Sequence, residues 1–152
     1  MKRKPKGYSL AETVMVVLFA GILTAIAVPR ISFSAIRRKN AETISKKIVT
    51  VLRRTRRLAI SDAANNQEGF ELRMNGPSPY SSYDVVNLDT SVTVDSYTID
   101  DGISCSGGAN FKFGPLGNLL GSSDTQLTVS SEGKSFTVNL IQATGMVRCL
   151  EN

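Results

Sequence analysis

Residues 6–29, KGYSLAETVMVVLFAGILTAIAVP, decide the fold of this chain. A basic leader ends at Gly7, an uncharged run ends at Pro29, and one carboxylate, Glu12, lies at the start of that run. As a helix, residues 10–28 would extend about 28 Å, close to the roughly 30 Å hydrocarbon core of a bilayer. The stretch therefore predicts a membrane-anchoring helix whose N-terminus stays cytoplasmic, because the flanking cluster is wholly basic.

Glu12 is a functional candidate because a carboxylate at mid-helix in a membrane costs roughly 3 kcal/mol, and less toward the edge. The small residue that could mark cleavage, Gly7, precedes the apolar run, whereas an ordinary secretory signal places small residues after it. A cut after Gly7 would give Tyr8 a new amine that could pair with Glu12, within one chain or between neighbouring subunits. The alternative is that Glu12 only marks the cytoplasmic interface of a signal anchor.

The pattern GYSLAE, followed by the apolar run and Pro29, resembles the class III signal sequence of type IV pilins and type II secretion pseudopilins. The chain departs from the usual family pattern at Tyr8, Ser9, Ala11 and Thr13. The resemblance implies cleavage between Gly7 and Tyr8 by a prepilin peptidase, N-methylation of Tyr8, and assembly into a helical filament. It also implies that Glu12 pairs with the Tyr8 amine of a neighbouring subunit and sets the axial register.

The net charge of +5 conceals a strong asymmetry along the chain. Of the 18 basic residues, 14 lie at or before Arg57, opposed by only two acidic ones, which gives that segment +12. Residues 58–152 carry 4 basic and 11 acidic side chains, or −7. The pattern indicates a basic stalk and an acidic head, and it argues against a basic domain that seeks nucleic acid.

A second helical segment is predicted over residues 30–64, continuous with the first and kinked at Pro29. Its apolar stripe has helical spacing and consists of Ile44, Ile48, Val51, Leu52, Thr55 and Leu58. The other faces are basic, with Arg37, Arg38, Lys39, Lys46, Lys47, Arg53, Arg54, Arg56 and Arg57. These cations either form a solvated face that balances the acidic head or contact a partner subunit.

From residue 65 the pattern changes to strands separated by glycine-marked turns. Strands are predicted at 69–74, 83–88, 91–99, 110–113, 126–131, 135–141 and 146–150. The predicted class is α+β, with one long N-terminal helix packed on a single antiparallel sheet. The predicted domains are a leader (1–7), a membrane helix (8–29), an amphipathic helix (30–64) and a head (65–152).

The C-terminal region carries a second resemblance, to the pseudopilin H and FimT-like family. The stretch FKFGPLGN, a hairpin of two alternating strands and the stretch TGMVR are similar to the end of that family's domain. The positions that match are Phe111, Phe113, Pro115, Gly117, Gly145, Val147 and Arg148. The helix end LRRTRRLAISDA resembles the segment that precedes the family's head.

Cys105 and Cys149 are the only cysteines, and in an exported domain they predict a disulfide, with two free thiols as the alternative. The chain has no histidine, which removes most zinc, haem and histidine-based catalytic schemes. The aspartates form no calcium-loop motif, and the glycine pairs lack the lysine of a phosphate loop. We therefore predict neither an enzyme nor a metal or cofactor site.

The expected function is structural: a minor pilin or pseudopilin that acts in the assembly or initiation of a type IV pilus or secretion pseudopilus. Its expected partners are other pilin subunits, the prepilin peptidase and an assembly platform in the bacterial inner membrane, with the head in the periplasm. Two alternatives stay open. One is a FimT-like minor pilin that binds DNA, which the charge of the head disfavours, and the other is a signal-anchored periplasmic protein.

Overall fold

The structure is a computed structural model that describes residues 9–27 and 33–152, with the side chains of 9–25 and 39–152. The chain divides into two compact units, Met1–Phe33 and Ser34–Asn152.

The described part of the first unit is one helix, α1, at Leu10–Ala27. Helix α2 extends over Phe33–Ser61, so all of it but its first residue belongs to the second unit. The predicted continuous helix is not confirmed, since the two helices are separate elements and Pro29 lies outside the described residues. Within residues 9–27 and 33–152, no helix is both long and apolar enough to cross a membrane.

Helix α2 buries the face that the helical spacing predicts. Ile48, Leu52 and Thr55 are fully buried, and Leu58 is half-buried. Four further side chains lie buried on α2, at Ala41, Ser45, Val49 and Ala59. The Thr55 hydroxyl donates to the carbonyl of Val51 at 2.9 Å, so this polar group stays satisfied inside the core.

The strands form two four-stranded antiparallel sheets rather than the single sheet predicted from the sequence. In the first sheet, with order β3-β2-β1-β5, the strands are β1 Phe70–Asn75, β2 Ser82–Asn87, β3 Thr93–Thr98 and β5 Asn110–Phe113. In the second, with order β4-β6-β7-β8, they are β4 Ser104–Gly107, β6 Gln126–Ser131, β7 Lys134–Ile141 and β8 Met146–Glu151. Strand β4 was missed, because four short polar residues carry no alternating pattern.

One hydrophobic core joins α2 to both sheets. Tyr83 and Phe111 from the first sheet and Leu127 and Val138 from the second are all fully buried in it, together with the α2 stripe. The architecture is therefore α+β, as predicted, with a helix and two sheets sharing one interior.

Candidate functional site

Helix α1 exposes apolar side chains on every side. Six consecutive residues from Val14 to Phe19 are all more than half exposed, and Leu10 and Leu23 are 84% and 66% exposed. Six successive positions cover all faces of a helix with 3.6 residues per turn. A helix that is apolar all round needs an apolar environment or neighbouring chains to cover it.

Glu12 lies exposed in the first turn of α1, where the backbone gives it a local structural role. The Glu12 N–H donates to the Ser9 carbonyl at 3.0 Å and lies 3.3 Å from Ser9 Oγ, so Ser9 caps the helix. A carboxylate three residues after such a cap completes the sequence pattern of a capping box and interacts favourably with the helix dipole. The sequence interpretation missed Ser9, although the S-x-x-E spacing was the signal that could have found it.

Three of the predicted site residues, Gly7, Tyr8 and Pro29, lie outside the described residues. The predicted cleavage, methylation and kink therefore stay predictions.

The predicted disulfide between Cys105 and Cys149 is not formed: both residues are free cysteines. Cys105 lies on β4 and Cys149 on β8, the two edge strands of the second sheet. Three inter-strand spacings separate them by about 14 Å, while the Cα atoms of a disulfide lie within about 7 Å of each other. The prediction expected a disulfide that ties the terminal strand to the middle of the sheet, whereas the two cysteines lie on its opposite edges.

Part of the basic surface of α2 is neutralised within its own chain. Arg54 pairs with Asp95 on β3 at 2.6 Å, and its guanidinium lies 3.2 Å from the Tyr97 hydroxyl. Lys47 lies over the Tyr97 ring, 5.3 Å from its centroid. Lys46 pairs with Glu42 one turn earlier and lowers the pKa of that carboxyl. These contacts fit the interpretation of a basic helix face that balances the acidic head.

Four other arginines converge on a cleft instead. The arginine cleft, as we call it, has a volume of about 480 Å³. It is lined by Arg53, Arg56, Arg57, Gly145, Met146, Val147 and Arg148. No acidic side chain lies among these lining residues, and none of the four arginines forms an ion pair with a described residue.

Two of the four guanidinium groups are fixed by backbone carbonyls. Arg56 Nε–H donates to the carbonyl of Gly117 at 2.9 Å, and Arg53 Nη2 donates to that of Val147 at 3.3 Å. Arg57 and Arg148 are exposed and make no such bond within the described residues. The cleft therefore combines two anchored cations with two that are free to bind an anion.

The glycine-marked turns singled out from the sequence meet beside the cleft. Gly145 has a φ of +62°, and a Cβ added to it would lie 2.0 Å from the carbonyl oxygen of Gly117. A Cβ on Gly117 would lie 2.6 Å from the side chain of Ile60 on α2. Only glycine allows the two turns and the helix to approach so closely. The approach places the Gly117 carbonyl where Arg56 can bind it.

Two of the aspartates, Asp124 and Asp84, act in local structure. Asp124 accepts from the backbone N–H groups of Ala109 and Asn110 at 2.7 and 2.9 Å. Asp84 accepts from Asn75 at 2.7 Å and from the Ser96 hydroxyl at 2.5 Å. Across the described part of the chain, no group of three or more acidic or cysteine side chains is arranged to hold a metal.

Comparisons with protein-family models, curated proteins and solved structures found no match to this chain.

Proposed function

We propose that this chain is a structural subunit, a minor pilin or pseudopilin, of a type IV pilus or type II secretion pseudopilus, and that it acts in filament assembly or initiation. The observation that carries the proposal is α1, whose apolar side chains are exposed on all faces and whose only charged residue is Glu12 in the first turn. Such a helix is suited to lie in a lipid bilayer before assembly and to pack against the same or related helices in a filament.

The proposal includes a location and a set of partners. The basic leader would keep the N-terminus cytoplasmic, the helix predicted over residues 8–29, which includes α1, would anchor the chain in the bacterial inner membrane, and the strand-rich unit would lie in the periplasm. A prepilin peptidase would cut between Gly7 and Tyr8, and an inner-membrane platform would insert the mature chain into a filament. On this account α1 and α2 belong to one long helix bent at Pro29, as in the pilin fold.

Glu12 is the register device in this proposal, because its carboxylate would pair with the Tyr8 amine of the neighbouring subunit. Helix capping is the competing role, and the Glu12→Gln variant separates the two. Glutamine keeps the capping pattern at the third helical position but removes the charge. An ion pair in a water-poor filament core depends on that charge.

We expect Glu12→Gln to reduce the filament-incorporated share of the chain at least tenfold, the equivalent of about 1.4 kcal/mol. The measurement is quantitative immunoblotting of sheared filaments against the membrane fraction, at equal expression. Thr24→Ala is the matched control, since the Thr24 hydroxyl donates only to α1's own carbonyls, at 2.9 and 3.0 Å. Wild-type incorporation of Glu12→Gln would contradict the register role.

DNA binding is the second candidate function, and the arginine cleft is the observation that favours it. Guanidinium groups bind phosphate as readily as carboxylate. The excess of 11 acidic over 4 basic side chains in residues 58–152 opposes a nucleic-acid surface on the head. Retention of a duplex oligonucleotide by the chain, abolished in Arg57→Ala, would favour this function.

A further inference from the structure

The arginine cleft lies at one end of the second unit and an acidic turn lies at the other. The cleft includes Gly145–Val147, which adjoins the end of β7 at Ile141, since Ile141 pairs with Met146. The opposite end of β7 starts at Lys134, next to Ser131. The Ser131 hydroxyl donates to the carbonyl of Gly102 at 2.9 Å and so ties the turn Asp100–Gly102 to that end.

The length of β7 sets the distance between these two surfaces. It has eight residues, which corresponds to roughly 24 Å along the strand. Helix α2 runs along β7. Near its start, the charge of Lys134 lowers the pKa of Glu42, and near its end Arg56 binds the carbonyl of Gly117 beside Gly145. The cleft and the acidic turn therefore lie too far apart to meet within one copy.

The carboxylates of the acidic turn are complementary in charge to the guanidinium groups of the cleft. Asp100 and Asp101 are adjacent and exposed, and neither forms an ion pair with a described residue. Arg57 and Arg148 are exposed at the mouth of the cleft and equally unpaired among the described residues. The planar guanidinium fork binds a carboxylate through two parallel hydrogen bonds, which gives orientation as well as attraction.

We propose that the arginine cleft of one copy of this chain binds the Asp100–Asp101 turn of a second copy, end to end. Arg57 and Arg148 bind the two carboxylates, while Arg53 and Arg56 stay fixed on their backbone carbonyls and raise the local positive potential. The contact joins two different surfaces, so the two copies are not related by the two-fold axis of a closed dimer. This inference rests on the proposed function and adds a contact between the strand-rich units to the one between the α1 helices.

Site-directed crosslinking in the bacterial envelope tests this contact. Two full-length copies with different epitope tags are expressed together, both carrying Cys149→Ser, so that buried Cys105 is the only native thiol. One copy carries Arg57→Cys and the other Asp101→Cys, and a mild oxidant is added. We expect at least five times more mixed-tag dimer than when Asp89→Cys replaces Asp101→Cys. Asp89 is the matched control, because it is also an exposed aspartate but follows the end of β2 at Asn87. The acidic turn lies near the start of β2, where Ser82 pairs with Thr98.

A second measurement excludes a contact that the new thiols alone create. Copies with the two tags and no introduced cysteine are co-purified in detergent, with and without Asp100→Ala and Asp101→Ala together. We expect the double variant to lower recovery of the second tag at least fivefold at low salt, and the wild-type recovery to fall as salt rises.

Each outcome decides the proposal. The proposal is overturned if Asp101→Cys gives no more mixed-tag dimer than Asp89→Cys and if the double aspartate variant leaves co-purification unchanged. The proposed function still stands in that case if the chain is present in sheared filaments. Absence of the chain from sheared filaments refutes the proposed function, whereas the crosslink in the membrane still decides the contact between heads. Retention of a duplex oligonucleotide that Arg57→Ala abolishes, without mixed-tag dimer, overturns the proposal and favours DNA binding.

Discussion

At the scale of single residues, Cys105 shows how burial changes a group that the sequence marked for another role. The side chain is fully buried in the core beside strand β6. Burial disfavours the thiolate and raises the pKa of Cys105 to about 11. The thiol therefore acts as a small apolar side chain rather than as half of a disulfide.

This pKa predicts a loss of stability at alkaline pH. An unfolded thiol ionises near pH 9, whereas the folded one holds its proton up to about pH 11. Between these values the folded state binds more protons, so the free energy of unfolding falls as pH rises, by about 2–3 kcal/mol for this group. We expect Cys105→Ala to remove that part of the pH dependence in urea unfolding of the full chain, followed by circular dichroism.

Cys149→Ala is the control, since it leaves the buried thiol in place and should keep the wild-type pH profile. Tyr83, whose pKa is also raised by burial, contributes in the same direction in all three proteins. A Cys105→Ala profile that parallels the wild type from pH 9 to 11 would contradict the assignment.

Some residue roles can be predicted from the sequence alone and others cannot. Glu12 was singled out because a carboxylate in an apolar run is costly, and that reasoning needs no structure. Its contact with the capping residue Ser9 is also predictable, from the S-x-x-E spacing. The distance between Cys105 and Cys149 was not readable, because it depends on which strands pair across 45 residues of chain.

At the scale of elements, periodicity predicted α2 and most strands, since most of them have a face buried against one core. Ile44, Ile48 and Leu52 follow helical spacing, and the alternation of β6 and β7 has period two. The division into two sheets could not be predicted. It depends on β1 pairing with β5 and on β4 pairing with β6, which are contacts between distant segments.

The meeting of two turns beside the arginine cleft gives an element-scale prediction. We expect Gly145→Ala to lower the free energy of unfolding by about 3–4 kcal/mol, because its Cβ would lie 2.0 Å from the carbonyl oxygen of Gly117. The backbone of one turn must then move away from α2. Urea unfolding of the full-length chain in detergent measures the change.

Gly133→Ala is the matched control for this substitution. Gly133 also has a positive φ, +77°, but a Cβ there meets nothing within 4 Å. Its cost is therefore only that of the left-handed backbone, about 1–2 kcal/mol. Equal losses for the two variants would show that backbone strain, and not the close approach of the turns, determines the stability at Gly145.

At the scale of the whole molecule, charge and apolar surface are distributed along the chain in a way that suits polymerisation. The apolar helix α1 carries no charge beyond Glu12, the arginine cleft lies on the basic α2, and the acidic turn lies at the far end of the strand-rich unit. On the proposed function, these features would form successive contacts between subunits of one filament.

The proposed function requires that residues 1–7 are a leader whose removal releases a polymerising helix. Intact-mass and N-terminal peptide spectrometry of the chain purified from bacterial membranes tests this most directly. If the leader is removed, we expect a mature chain that begins at Tyr8, with one added methyl group on its amine. A chain that retains Met1–Gly7, or that is cut after the apolar run, would contradict it.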